Sequence, residues 1–254
     1  MFKALRIIIL LFILAGVAAG TWRSRTSSVE WKYDLPVNIY PINGDGSENV
    51  KQYLRTLTAN DFKQIKTFMR EEANRYDRTA NAAIDIKLGE IIDAVPPAPP
   101  KNGSALEVIA WSLKMRWWAY RNADTTGPDP QVKMFLVYFD PAQNDRLDHS
   151  TGLQKGLIGR VNVFASSGMA RKNNVIITHE FLHTLGATDK YDLITNQPLH
   201  PDGYAIPDQQ PLLPQRYAEI MGGRIPISQT EAIIPESLND VLIGSLTAKE
   251  INWQ

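Results

Sequence analysis

Two of the chain's four histidines lie four residues apart, in the run VIITHEFLHTLGATDKYD from Val175 to Asp192. Residues four apart in an α-helix sit about 40° apart around the axis, one turn above each other. His179 and His183 therefore point the same way. Val175, Ile176, Ile177, Phe181, Leu182 and Leu185 place apolar groups around most of the same helix, which predicts burial. Two imidazoles and the Glu180 carboxylate in a buried helix need partners. One metal ion and its water would supply them, since zinc takes imidazole nitrogens at about 2.0–2.1 Å. The plainer alternative gives each imidazole its own hydrogen bond and no ion. Glu180 is turned by about 100° from His179, close enough to reach a water on the ion without binding the ion itself.

Two downstream residues strengthen the metal reading. Gly186 follows His183 by three positions and can take the left-handed conformation that ends a helix and turns the chain. Asp189 follows by six and, after such a turn, can offer a carboxylate oxygen as third ligand. Three protein ligands leave a fourth position open for water, the arrangement of catalytic zinc sites. Read alone, Gly186 is an ordinary helix end and Asp189 a solvated loop acid.

Composition closes several other routes. The chain has no cysteine, so disulfides, thiolate metal sites and cysteine nucleophiles are excluded. The formal net charge is zero, so no field of one sign argues for nucleic acid. At 44% hydrophobic and 21% charged, the 254 residues suit a globular chain with a substantial core.

The pattern His179-Glu180-x-x-His183-x-x-Gly186-x-x-Asp189 resembles the zinc signature of the metzincin metallopeptidases, in the variant whose third ligand is Asp. The continuation LGATDKYD is similar to that of immune inhibitor A-type peptidases, and snapalysin-type enzymes also use Asp. The resemblance implies an α+β fold: a mixed sheet, a buried active-site helix and a smaller C-terminal subdomain holding a methionine turn. It implies zinc held by His179, His183 and Asp189, Glu180 as general base, and a protein or peptide substrate. Met221, in YAEIMGG, stands where the turn methionine is expected, with Gly186 as the second supporting residue. Some metzincins place an oxyanion-stabilising tyrosine two residues after that methionine. Gly223 stands there instead, and Tyr191, Tyr204 and Tyr217 are candidate substitutes. Two rival readings stay open. One is a gluzincin whose third ligand is Glu219 or Glu236, with His200 a further ligand candidate. The other is a non-catalytic zinc or peptide-binding envelope protein.

The first residues, MFKALRIIILLFILAGVAAG, open with Lys3 and Arg6 and run apolar from Ile7 to Val17, with Val17 and Ala19 spaced as a signal peptidase accepts. Residues 1–22 are read as a signal peptide or a signal anchor, so the remainder is expected to work outside the cytoplasm, secreted, periplasmic or anchored. Residues 23–254 form the metallopeptidase-like domain, with an N-terminal subdomain to about residue 186 and a C-terminal one over 187–254. Periodicity predicts strands around Val37–Tyr40, Ala82–Ile91, Val132–Asp140 and Gly156–Ser166. It predicts helices over Asp61–Tyr76, capped by Asn60 or Asp61, and over Ala105–Arg121, capped by Ser104. Val95–Ser104 is a Pro-rich surface loop. Trp111, Trp117 and Trp118 are expected in the core. The strand Gly156–Ser166 is a candidate cleft edge for an extended peptide, and the resemblance implies a closing helix over Ser237–Trp253.

Overall fold

The computed structural model describes residues 28–78, 84–101, 103–123 and 131–254. The N-terminal segment read as a signal or anchor lies outside the described residues. Among the described residues, no helix is long and apolar enough to cross a membrane.

The architecture is mixed α and β around a mostly parallel five-stranded sheet. Strands β1 (Leu35–Asn43), β2 (Ile84–Leu88), β3 (Val132–Phe139), β4 (Thr151–Leu153) and β5 (Ile158–Phe164) lie in the order β2-β1-β3-β5-β4. The pairings of β1 with β2, β1 with β3 and β3 with β5 are parallel, while β4 runs antiparallel along β5 and forms the edge. A parallel sheet needs cover on both faces, and its strands alternate accordingly. Leu35, Val37, Ile39, Met134, Leu136, Val161 and Val163 enter the larger core, while Tyr40, Ile42, Phe135, Val137 and Ile158 enter the smaller one. Helices α1 (Glu48–Thr56), α2 (Lys63–Arg75) and α4 (Ala170–Leu185) cover the first face, and α3 (Ala105–Asn122) covers the second.

Local signals explain the helix starts. Ser104 and Glu107 form a reciprocal capping box at the head of α3. The helix expected from Asp61 is split: a 3-10 turn over Ala59–Phe62 precedes α2, and the cap is Thr58, with Asp61 reaching back to it. The early strand is longer than expected, because apolar residues continue through Pro41 and Ile42.

Three expectations are corrected. The strand over Gly156–Ser166 is β5 and lies inside the sheet; the edge is the three-residue β4, too short to show a period. Of the three tryptophans expected in the core, Trp111 is buried, Trp118 half-buried, and Trp117 is 61% exposed on the outer side of α3. The closing segment is not one helix. It contains a 3-10 turn over Leu238–Asp240, a two-residue strand, and the short helix α5 (Ser245–Glu250), because Gly244 interrupts the period. Trp253 then packs against Trp31 at 5.5 Å between ring centroids, and the Trp31 indole donates to the Ile251 carbonyl, tying the two ends of the described chain together.

Candidate metal centre

Helix α4 is fixed at both ends and along one side. The Asn173 amide donates to the Phe164 carbonyl and so pins the helix start to the end of β5. Thr178 and Thr184 are fully buried, and each hydroxyl is satisfied by a carbonyl of its own helix. The helix ends at Gly186, with φ of 112°, where the Gly186 and Ala187 N–H groups close back on the Leu182 carbonyl.

The chain that leaves Gly186 is pinned on both sides of Asp189. Thr188 bonds the Glu250 carboxylate through its N–H and its hydroxyl. The Lys190 ammonium, almost wholly buried, reaches Glu250 at 2.7 Å, and the Lys190 N–H donates to the Met221 carbonyl. Asp189 is thereby held over α4, with Oδ1 at 3.1 Å from Nε2 of both His179 and His183. The two Nε2 atoms are themselves 3.1 Å apart. A tetrahedral ion with bonds of about 2.0–2.1 Å has ligand-to-ligand edges of about 3.3–3.4 Å, so a small expansion of this triangle accepts zinc.

The far nitrogen of each ring is already engaged. His179 Nδ1 lies 2.8 Å from the Ile220 carbonyl, and His183 Nδ1 lies 2.8 Å from the Ala187 carbonyl. A carbonyl only accepts, so both Nδ1 atoms carry hydrogen and the Nε2 lone pairs turn inward. Three acceptors then converge on one point. A proton on one ring relieves part of that conflict, and a shared cation relieves all of it.

Electrostatics follow from the same cluster. Partial burial pulls the His179 pKa down, but Asp189, Glu180 and the Ile220 carbonyl outweigh it and raise it to about 9. Burial pushes Asp189 up, yet the two imidazoles against it hold it well below the usual carboxylate range. Glu180 is raised by its burial, against the pull of the two imidazoles. Its Oε2 is buried and has no hydrogen-bond partner. A water on an ion in the triangle would supply that partner, so the residues fit a hydrated metal.

Of the residues singled out from the sequence, the structure groups His179, His183 and Asp189, with Glu180 electrostatically coupled to them, while Gly186 ends the helix and Met221 contacts the Asp189 loop through its backbone. Met221 is fully buried in a turn followed by Gly222 and Gly223. Its segment acts through the backbone: the Ile220 carbonyl orients His179, and the Met221 carbonyl holds the Asp189 loop. The rival ligands lie elsewhere. Among the described residues, the one group of histidines and carboxylates close enough to share an ion is His179, His183 and Asp189. Glu219 is buried and accepts from the N–H groups of Met221, Gly222 and Gly244 and from the Thr247 hydroxyl, which fixes the turn at Met221 to α5. Glu236 pairs with Lys172 at the surface, and His200 is exposed, edge-on to Tyr204.

Of the three candidate tyrosines, Tyr191 stands at the centre. Its ring centroid is 6.4 Å from that of His179, and burial, with Asp189 and Glu180 nearby, pushes its pKa up to about 12. It keeps its proton at neutral pH and remains a donor. A residue not foreseen is Gly152 on β4. A Cβ there would collide with the Glu180 carbonyl oxygen and with the His183 side chain. The edge strand therefore lies directly against the motif helix. Beside His179 opens a largely apolar cavity of about 430 Å³, whose walls include Val175, Ile176, Tyr191, Ile220 and Arg224.

No protein-family model matches the chain, and no curated protein is detectably similar to it.

Proposed function

We propose that this chain is a zinc-dependent metallopeptidase of metzincin-like fold, which hydrolyses peptide bonds with a metal-activated water. The observation that carries the reading is the convergence of three acceptors. Nε2 of His179, Nε2 of His183 and Oδ1 of Asp189 face one point at mutual distances of 3.1 Å, with both Nδ1 atoms committed to carbonyls.

His179, His183 and Asp189 would hold the ion. When bound, zinc supplies Lewis acidity toward water and toward a carbonyl oxygen. Glu180 takes a proton from the attacking water at its unpartnered Oε2 and delivers it to the leaving amine nitrogen. Its raised pKa suits both halves of that task, because a carboxylate that is easier to protonate holds the proton between the two steps. Tyr191, protonated and beside the centre, is the candidate donor to the developing oxyanion. The apolar cavity beside His179 suits an apolar side chain next to the cleaved bond. The edge strand β4, packed on Glu180 and His183 through Gly152, can pair with an extended peptide. The N-terminal sequence supports a site of action outside the cytoplasm.

Elemental analysis of the purified chain, with peptide hydrolysis followed through chelation and zinc return, tests the reading. The expected result is one zinc per chain, hydrolysis lost on chelation and restored by zinc, and no zinc in His183→Ala. Equal zinc in both proteins, or hydrolysis indifferent to chelation, would overturn it.

A further inference from the structure

Helix α3 is apolar on two opposite sides. Trp111, Met115 and Ala119 face the sheet and are buried. Leu106, Ile109, Leu113, Trp117 and Tyr120 face outward and are 56–78% exposed. Their spacings of three and four residues draw one continuous stripe along the helix. A surface helix ordinarily carries polar residues on its outer side, and a contiguous exposed apolar patch marks a contact surface.

The borders of the stripe say what the contact is. Measured around the axis from Leu106, Lys114 and Arg121 lie about 60–80° to one side, and Arg116 about 80° to the other. Glu107 is the helix's one acid. Trp117 and Tyr120 stack at 5.9 Å, and the Arg121 guanidinium sits 5.8 Å from the Trp117 ring centre. We propose that the outer face of α3 docks on an anionic lipid surface. Leu106, Ile109 and Leu113 enter the acyl boundary, Trp117 and Tyr120 lie at headgroup level, and the flanking cations meet lipid phosphates and carboxylates. A second copy of the chain fits less well. A two-fold contact would bring the Lys114, Arg116 and Arg121 set of one copy against the same set of the other, with Glu107 the one acid on each helix to answer them. Helix α3 covers the sheet face opposite α4, so lipid on this side leaves the metal centre on the other layer.

The apolar N-terminal run could bring the whole chain to vesicles, so the test must read the helix itself. The chain has no cysteine, and single cysteines at Leu113→Cys and Trp117→Cys accept an environment-sensitive nitrobenzoxadiazole label. Leu193→Cys, at an exposed residue outside α3, is the control. The full-length protein is mixed with phosphatidylcholine vesicles with and without phosphatidylserine. The expected result is a blue shift and a several-fold rise in emission at 113 and 117 with the anionic vesicles, none at 193, and loss of most of the response in Lys114→Glu/Arg121→Glu. Unchanged labels at 113 and 117 on protein that floats with the vesicles would overturn the proposal. An equal response with neutral vesicles would overturn it too. So would a blue shift that grows with protein concentration in the absence of lipid, which would assign the face to a second copy.

Discussion

His179 and His183 present their Nε2 atoms to each other at 3.1 Å, while each Nδ1 is bonded to a backbone carbonyl 2.8 Å away. The Ala187 carbonyl follows directly on the turn at Gly186, whereas the Ile220 carbonyl comes from a segment 41 residues beyond His179 that folds back against α4. The His183 tautomer is thus set by the local helix end and that of His179 by tertiary structure.

The metal-free protein should reveal this through its pH dependence. His179 has a folded pKa of about 9, above its ordinary value of about 6.5. A raised pKa contributes stability that is complete below the unfolded value and is lost as pH rises through the folded one. Asp189, whose pKa is depressed, contributes above the ordinary carboxylate range and loses that contribution only in acid. The melting temperature of the chelated protein should therefore fall between about pH 6.5 and 9. Zinc replaces the shared proton, so the loaded protein should show no such fall and should release protons on binding. Thermal melts of both forms across this interval check the expectation, and a flat chelated profile would contradict it.

Glu180→Gln separates base from ligand. The amide keeps the shape of the side chain but cannot take a proton. Zinc content should match the wild type, while kcat falls by about 10²–10⁴-fold, the usual contribution of a general base. Loss of zinc together with activity would make Glu180 a ligand, and near-normal kcat would remove its role.

Two glycines near the centre should fail in different ways. Gly186 has φ of 112°, where a β-branched side chain is strained. Gly186→Val should cost about 1–3 kcal/mol, read as a lower melting temperature. Gly152 has an ordinary backbone but no room for a Cβ between the Glu180 carbonyl and His183. Gly152→Ala should move His183 and weaken zinc affinity more than it lowers stability. Unchanged zinc affinity in Gly152→Ala would mean that the edge strand yields instead of the helix.

The contrast between these glycines also shows where the sequence is readable. Gly186 announces itself because a helical period stops beside it. Gly152 sits in a three-residue strand with no period, and its partner on α4 is about thirty residues away along the chain, so no local pattern points to it. The same limit applies to the turn at Met221. Met221 could be placed by its spacing from the motif, but the contacts of Ile220 and Met221 with His179 and Lys190 run through backbone carbonyls that every residue carries. Tyr191 could be named as a candidate and not chosen, since choosing it needs the direction of the turn after Gly186. Helix α3 shows the reverse error. A tryptophan-rich helix reads as core, and Trp111 obeys, but the helix has a second apolar face that only the packing of the first reveals.

Asp189 and Glu219 offer the most direct separation of the proposed ligand set from its nearest rival. Asp189 contributes one oxygen to the triangle, and the Tyr191 hydroxyl also hydrogen-bonds its carboxylate. Asp189→Ala should empty the site and abolish hydrolysis with little loss of fold, because the flanking Thr188 and Lys190 remain tied to Glu250. Asp189→His should recover zinc, since imidazole nitrogen binds the ion at a similar distance, with activity returning only in part because the longer side chain shifts the ion. Glu219 has the opposite profile. Each of its oxygens accepts from at least one backbone N–H that cannot reverse, Oε2 from Met221 and Gly222 and Oε1 from Gly244, with the Thr247 hydroxyl also donating to Oε1. Glu219→Gln sets an NH₂ group against some of them and should cost about 1–3 kcal/mol, a drop of about 2–12 °C in melting temperature, while the folded fraction still holds one zinc. Calorimetry with elemental analysis on the three variants reads both effects. A zinc-free but stable Glu219→Gln, beside an Asp189→Ala that keeps zinc and turnover, would move the third ligand to the later segment and refute the site proposed here.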